Sequence, residues 1–139
     1  MTSMKVLAAS QSAFRRDWYV DQLRLYGIEV ATAVDGIDCV VQMRTWHPEI
    51  VVLEPSLLWG GSVGVLAVRE EETELRQIPV VLIAANGISA NWYQLAQYSL
   101  QGLILRRPSG QKLASVLLAA IHEPCHENSV IQQCSEGSY

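Results

Sequence analysis

Five short apolar runs punctuate the chain, at residues 6–9, 28–33, 50–53, 80–85 and 103–105. They consist mostly of Val, Ile, Leu and Ala with little polar alternation, the pattern of strands covered on both faces. The segments between them are long enough for helical crossovers. In 12–26, Trp18, Tyr19, Leu23 and Tyr26 form one stripe that stops at Gly27. A second helix is expected over 36–46, burying Val40, Val41 and Met43, and a third from Ser62. The third ends in the charged run 69–74, which reads as a solvated terminus, with an acidic docking patch as the alternative. A fourth is expected over 89–100. A fifth follows Pro108 and Ser109, with Leu113, Val116, Leu117, Ala120 and Ile121 at helical spacing. Strands alternating with helices in this way predict a doubly wound α/β sandwich on a five-stranded parallel sheet with five helices.

Open parallel sheets gather ligands and reactive groups outside the carboxyl ends of their strands. Those ends carry Ser10 and Gln11 after the first run, Glu54 after the third, Ala84 at the fourth and Arg107-Pro108 after the fifth. One acid faces one base, and the rest of the edge is neutral.

Four stretches in order give the chain a resemblance to a known family. They are Gly27-Ile28-Glu29-Val30-Ala31-Thr32-Ala33-Val34-Asp35-Gly36, His47-Pro48-Glu49-Ile50-Val51-Val52-Leu53, Ile78-Pro79-Val80-Val81-Leu82-Ile83-Ala84-Ala85 and Arg107-Pro108. Over about residues 4–122 the chain resembles the CheY-like receiver domain of two-component response regulators. The resemblance implies a flavodoxin-like strand order of 2-1-3-4-5. It also implies an altered site: the metal-binding acid pair of the family falls on Ser10 and Gln11, and its phosphoaccepting Asp on Glu54. The hydroxyl residue that reads the phosphoryl group falls on Ala84, the Lys on Arg107, and the switch aromatic on Ile104.

Acyl-phosphate formation needs a hard divalent cation, usually held by one or two carboxylates and waters. Ser10 and Gln11 offer neutral oxygens, and the extra methylene of Glu54 shifts its carboxylate from the position of in-line attack. Ala84 has no hydroxyl and Ile104 no ring, so neither sensor nor lever is expected. In place of phosphorylation, a permanent Glu54–Arg107 ion pair is expected, since a guanidinium can grip a carboxylate bidentately. The alternative is that both side chains point into solvent.

Composition narrows the partners. With 139 residues, half of them hydrophobic, the chain has room for one domain, taken as 1–122, with a polar tail at 123–139. No apolar stretch approaches the roughly 18 residues of a membrane span, and the start lacks the apolar core of a signal peptide, so a cytoplasmic, membrane-free protein is expected. The net charge is −4, and Arg15-Arg16 and Arg106-Arg107 are short pairs that read as solvated helix or loop ends, so nucleic acid is not an expected partner. Exposed aromatics suggest a protein partner: Trp92, Tyr93, Tyr98 and Trp59 are taken as an interaction surface near the fourth helix, with ordinary packing against loops as the alternative. The partner would be a kinase, another regulator or a second copy, and the resemblance implies the fourth helix, fifth strand and fifth helix as the surface it uses.

Other chemistry finds less support. His122, Cys125, His126 and Cys134 are suitable zinc ligands, but Pro124 interrupts their spacing and no standard finger results, so no metal or other cofactor is expected. With Cys39 the cysteine count is odd, which argues against a disulfide framework. No Ser, His and acid set converges on the strand ends, and Cys39 falls within a helix, so a non-enzyme is expected. The glycines at 60–64 precede a helix and give the runner-up, a small-ligand or anion sensor. They lack a full dinucleotide or P-loop pattern, and turn geometry explains them more simply. The reading is a phosphorylation-independent receiver-like module that works by protein contact.

Overall fold

The computed structural model describes residues 4–55, 57, 61–84 and 97–122. Its sheet has five strands, β1 (Lys5–Ala9), β2 (Glu29–Ala33), β3 (Ile50–Leu53), β4 (Val80–Ile83) and β5 (Gly102–Ile104). All neighbours pair in parallel, in the order β2-β1-β3-β4-β5. The expected fold class and strand order are both present.

The apolar runs are continuous because each strand feeds two cores. Leu7, Ala9, Val51, Leu53, Leu82 and Leu103 point to one face, where they meet Cys39, Met43, Val65 and Leu66. Val6, Ala8, Ile50, Val52, Val81, Ile83 and Ile104 point to the other, against Tyr19, Leu23, Leu113 and Leu117. This is the two-residue period of a strand expressed on two buried faces. Full burial of each such Val, Leu or Ile side chain is worth about 1.5–3 kcal/mol.

The helices are α1 (Ala13–Arg24), α2 (Gly36–Thr45), α3 (Gly61–Glu71), the short α4 (Thr73–Arg76) and α5 (Gly110–His122). Helix α1 stops as expected: Gly27 adopts φ +75°, and Ile28 N–H donates to the Leu23 carbonyl at 3.2 Å. That is the helix-ending reversal that glycine makes without a Cβ penalty. Helices α1 and α5 meet closely at Gly110, where a Cβ would lie 3.0 Å from Cβ of Gln22. Asp35 caps α2 by accepting from Asp38 N–H at 2.8 Å, and Asp38 returns the bond by accepting from Val34 N–H at 3.0 Å.

Several details differ from expectation. In α2 the buried pair is Cys39 and Met43, four residues apart, while Val41 is 47 % exposed because it lies on the opposite side. Tyr26 is likewise exposed, being past the last turn of α1. Arg69 is not part of a solvated terminus: it is 2 % exposed, and its guanidinium donates to the Ile78 carbonyl at 2.7 Å and the Ser99 carbonyl at 3.1 Å. The acidic run after it is broken by α4, and Glu72 pairs with Arg44 across to α2. Most of the expected fourth helix lies outside the described residues, and 97–100 form a turn and irregular chain rather than its last turn. No helix among the described residues is long and apolar enough to cross a membrane.

Candidate functional site

The carboxyl ends of β1 and β3 are neighbours, so Ser10 and Glu54 leave the sheet side by side. Both are buried, Ser10 completely and Glu54 to 4 % exposure. A buried carboxylate is costly unless charge and hydrogen bonds compensate it. Here three side chains do so. The Ser10 hydroxyl donates to Glu54 Oε1 at 2.8 Å, Arg15 Nη1 donates to the same oxygen at 3.1 Å, and the Tyr19 hydroxyl donates to Oε2 at 2.6 Å.

Local structure aims each of them. Ser12 is the N-cap of α1, its hydroxyl accepting from Arg15 N–H at 3.2 Å, which fixes Arg15 in the first helical turn. Tyr19 follows four residues later on the same side of the helix. Ser12 N–H donates to Ser10 Oγ at 3.1 Å, leaving the Ser10 proton for Glu54. Arg16 Nη1 donates to the Ser10 carbonyl at 2.7 Å and ties the β1–α1 turn down. The Tyr19 phenol is held far above its ordinary range, first by burial, then by the Glu54 charge and the hydrogen bond to it, with Arg15 and Arg107 pulling the other way.

The expected Glu54–Arg107 pair is replaced by the Arg15–Glu54 salt bridge. Arg107 stands exposed at the rim of a crevice it shares with Phe14, Trp18, Tyr19, Glu54, Ile83 and Pro108. The reason lies in α1, which delivers a guanidinium to Oε1 and a phenol to Oε2, so both carboxylate oxygens have donors from that helix and Arg107 lines the same crevice without a hydrogen bond to either. The crevice beside Glu54 has room for about one water molecule.

The other expected positions divide clearly. Gln11 is exposed and Ala84 is buried, its N–H donating to the Ile104 carbonyl at 2.8 Å. Ile104 is a core residue of the α1/α5 face. Tyr98 is half-buried and packs on the α2/α3 face of the core, which favours the packing alternative for that ring. Trp59, Trp92 and Tyr93 lie outside the described residues, as do Cys125, His126 and Cys134, while His122 ends α5. Of the glycine-bearing stretch expected to precede a helix, residues 61–64 form the first turn of α3 itself, and Ser62 there is buried, its hydroxyl donating to the Pro55 carbonyl at 3.3 Å.

Arg15 and Tyr19 are the residues sequence reasoning missed. By sequence Arg15 reads as half of a solvated basic pair and Tyr19 as part of an apolar stripe. A signal was present: the first turn of α1 holds no acid and two arginines, the arrangement a helix dipole disfavours unless an external carboxylate repays it.

A divalent cation does not fit this donor set. The one carboxylate already accepts three hydrogen bonds, Ser10 and Gln11 add only neutral oxygens, and a guanidinium lies against one of the two carboxylate oxygens. Among the described residues no three His, Cys, Asp or Glu side chains converge on a metal position.

Neither a protein-family model nor a curated protein matches the chain by sequence. Solved structures do match by shape. The chemotaxis response regulator CheY4 of Vibrio cholerae is 18 % identical, with a TM-score of 0.76 over 86 % of this chain and 99 % of that one. The receiver domain of sensor histidine kinase PA1611 from Pseudomonas aeruginosa PAO1 is 15 % identical, with a TM-score of 0.80 over 88 % and 100 %, and holds a magnesium ion in its active-site cleft. The signal receiver domain of a LuxO repressor protein from Vibrio parahaemolyticus is 16 % identical, with a TM-score of 0.74 over 86 % and 91 %. The chain therefore has the receiver-domain fold.

Proposed function

We propose that this chain is a phosphorylation-independent, receiver-like signalling module that acts by protein contact in a two-component-type pathway in the cytoplasm. The observation that carries this reading is that both oxygens of Glu54 already have donors. They accept from Ser10, Arg15 and Tyr19, so an incoming phosphoryl group would have to displace one of these donors. A nucleophilic carboxylate needs a free oxygen aligned with the incoming phosphorus. Ala84 and Ile104, as buried aliphatic residues, supply neither a hydroxyl nor a ring to transmit a modification.

A non-enzymatic role is consistent with the placement of His47, which precedes β3, whereas Glu54 follows it, so the two stand at opposite ends of the strand. The partner is a kinase, another regulator or a second copy. The proposed contact face is the one around β5 and α5, with Trp92, Tyr93 and Trp59 as its expected anchors, whereas the Tyr98 ring packs against the core. β5 is a three-residue edge strand and Leu118 on α5 is an exposed apolar residue, both features that partners use.

Incubation of the native chain with a small acyl-phosphate donor and Mg²⁺, followed by intact-mass measurement, tests the reading. No adduct is expected. A phosphoryl adduct mapped to Glu54 would overturn it.

A further inference from the structure

The poor fit of a divalent ion leaves the question of what balances the buried Glu54 charge. We infer that the Arg15 guanidinium is the resident cation of this site, and that it fastens the first turn of α1 to the end of β3 without any metal. This deepens the reading above by naming what holds the site in one state.

Three observations carry the inference. Glu54 is almost fully buried, and a carboxylate at that depth needs a counter-charge. Arg15 is the cation that reaches it, at 3.1 Å, with a side chain 27 % exposed against 5 % for Glu54, so the pair is shielded from bulk water on the carboxylate side. Arg15 is also aimed in advance, through the Ser12 cap on its backbone N–H, and Arg16 fixes the turn on which that cap sits.

Exclusion of a divalent ion follows from the same geometry. Such an ion would have to displace Ser10 and Arg15 from Oε1 or Tyr19 from Oε2, in either case beside a carboxylate already paired with a fixed positive charge. Its double charge doubles that repulsion. A side chain tethered by the fold also pays no concentration-dependent cost of recruitment, so the contact persists whatever the metal level.

The test uses the full-length chain and its Arg15→Ala and Arg15→Lys variants. Each is melted in chelator and in millimolar Mg²⁺ or Mn²⁺, and each is titrated with the metal alone by calorimetry. The native chain should give the same melting temperature in both conditions and no binding heat. Arg15→Ala should melt several degrees lower in chelator and recover part of that loss with metal, because Glu54 is then an unpaired buried charge. Arg15→Lys, which keeps the charge, should stay closer to native and remain blind to metal.

Metal-dependent stabilisation of the native chain would overturn the inference. So would an Arg15→Lys variant as unstable as Arg15→Ala with neither responding to metal, since Arg15 would then act by packing alone. If Arg15→Ala fails to fold, the native and Arg15→Lys titrations still decide the matter. Metal binding by the native chain without phosphoryl uptake would sink this inference and leave the protein-contact reading standing, whereas a Glu54 adduct would sink that reading.

Discussion

Replacing Tyr19 by Phe removes one oxygen and leaves the ring in its place. Tyr19 is 3 % exposed, and its ring packs edge-on against Trp18 with centroids 5.5 Å apart, so the core keeps its shape. What is lost is the 2.6 Å donation to Glu54 Oε2, after which that oxygen is buried without a donor. A hydrogen bond to a charged group is worth about 1.5–3 kcal/mol, and the crevice beside Glu54 has room for a water that takes up part of the upper value, so a loss of about 2 kcal/mol is expected. With an unfolding entropy of about 0.25 kcal/mol/K for a domain this size, the melting temperature should fall by about 8 °C. Urea unfolding followed by tryptophan fluorescence measures the effect, with Trp18 close enough to report it. Tyr26→Phe is the control: Tyr26 is 47 % exposed, and its variant should stay within about 0.5 kcal/mol of native. If Tyr19→Phe is no more destabilised than Tyr26→Phe, the phenol is not holding Glu54.

Three further outcomes follow from the same structure. The folded state keeps the Tyr19 phenol protonated far above its ordinary value of 10.0, so it binds a proton that the unfolded state releases. Stability from this source is complete below about pH 10 and falls as pH rises beyond it; the fall should be shallower in Tyr19→Phe, read from urea midpoints across the alkaline range. The Cys39 thiol is pushed up to about 12, first by burial and then by the charges of Asp38 and Asp35, so it should react with a thiol reagent only at the rate of unfolding. Arg69→Met should cost at least about 2 kcal/mol by urea denaturation, because the Ile78 and Ser99 carbonyls lose a buried donor.

Much of the sheet was legible in the sequence. Continuous apolar runs at 50–53 and 80–85 reported strands covered on both faces, and Gly27 reported the end of α1, because burial and left-handed backbone both act through residue type. The position of Glu54 at the end of β3 followed from the same pattern. Its partner did not. Glu54 and Arg15 are 39 residues apart, and periodicity shows which side of a helix is apolar but not which polar groups meet across a sheet edge. The expected Arg107 contact came from placing one acid and one base on the same edge, without the phenol and guanidinium that α1 brings in. α2 was misjudged for a related reason: Val41 is apolar enough to read as core, yet the Cys39–Met43 side of the helix faces inward. The four residues of α4 are too few to leave a helical period, so the charged run read as loop.

A pair of double-mutant cycles bears most directly on the central question of which arginine balances Glu54. Stability is measured for Glu54→Gln, Arg15→Met, Arg107→Met and the two doubles that contain Glu54→Gln. Coupling of at least about 1 kcal/mol between Glu54 and Arg15, with about 0.3 kcal/mol or less between Glu54 and Arg107, is the expected result. The reverse ranking, with Arg107 coupled and Arg15 additive, would contradict it.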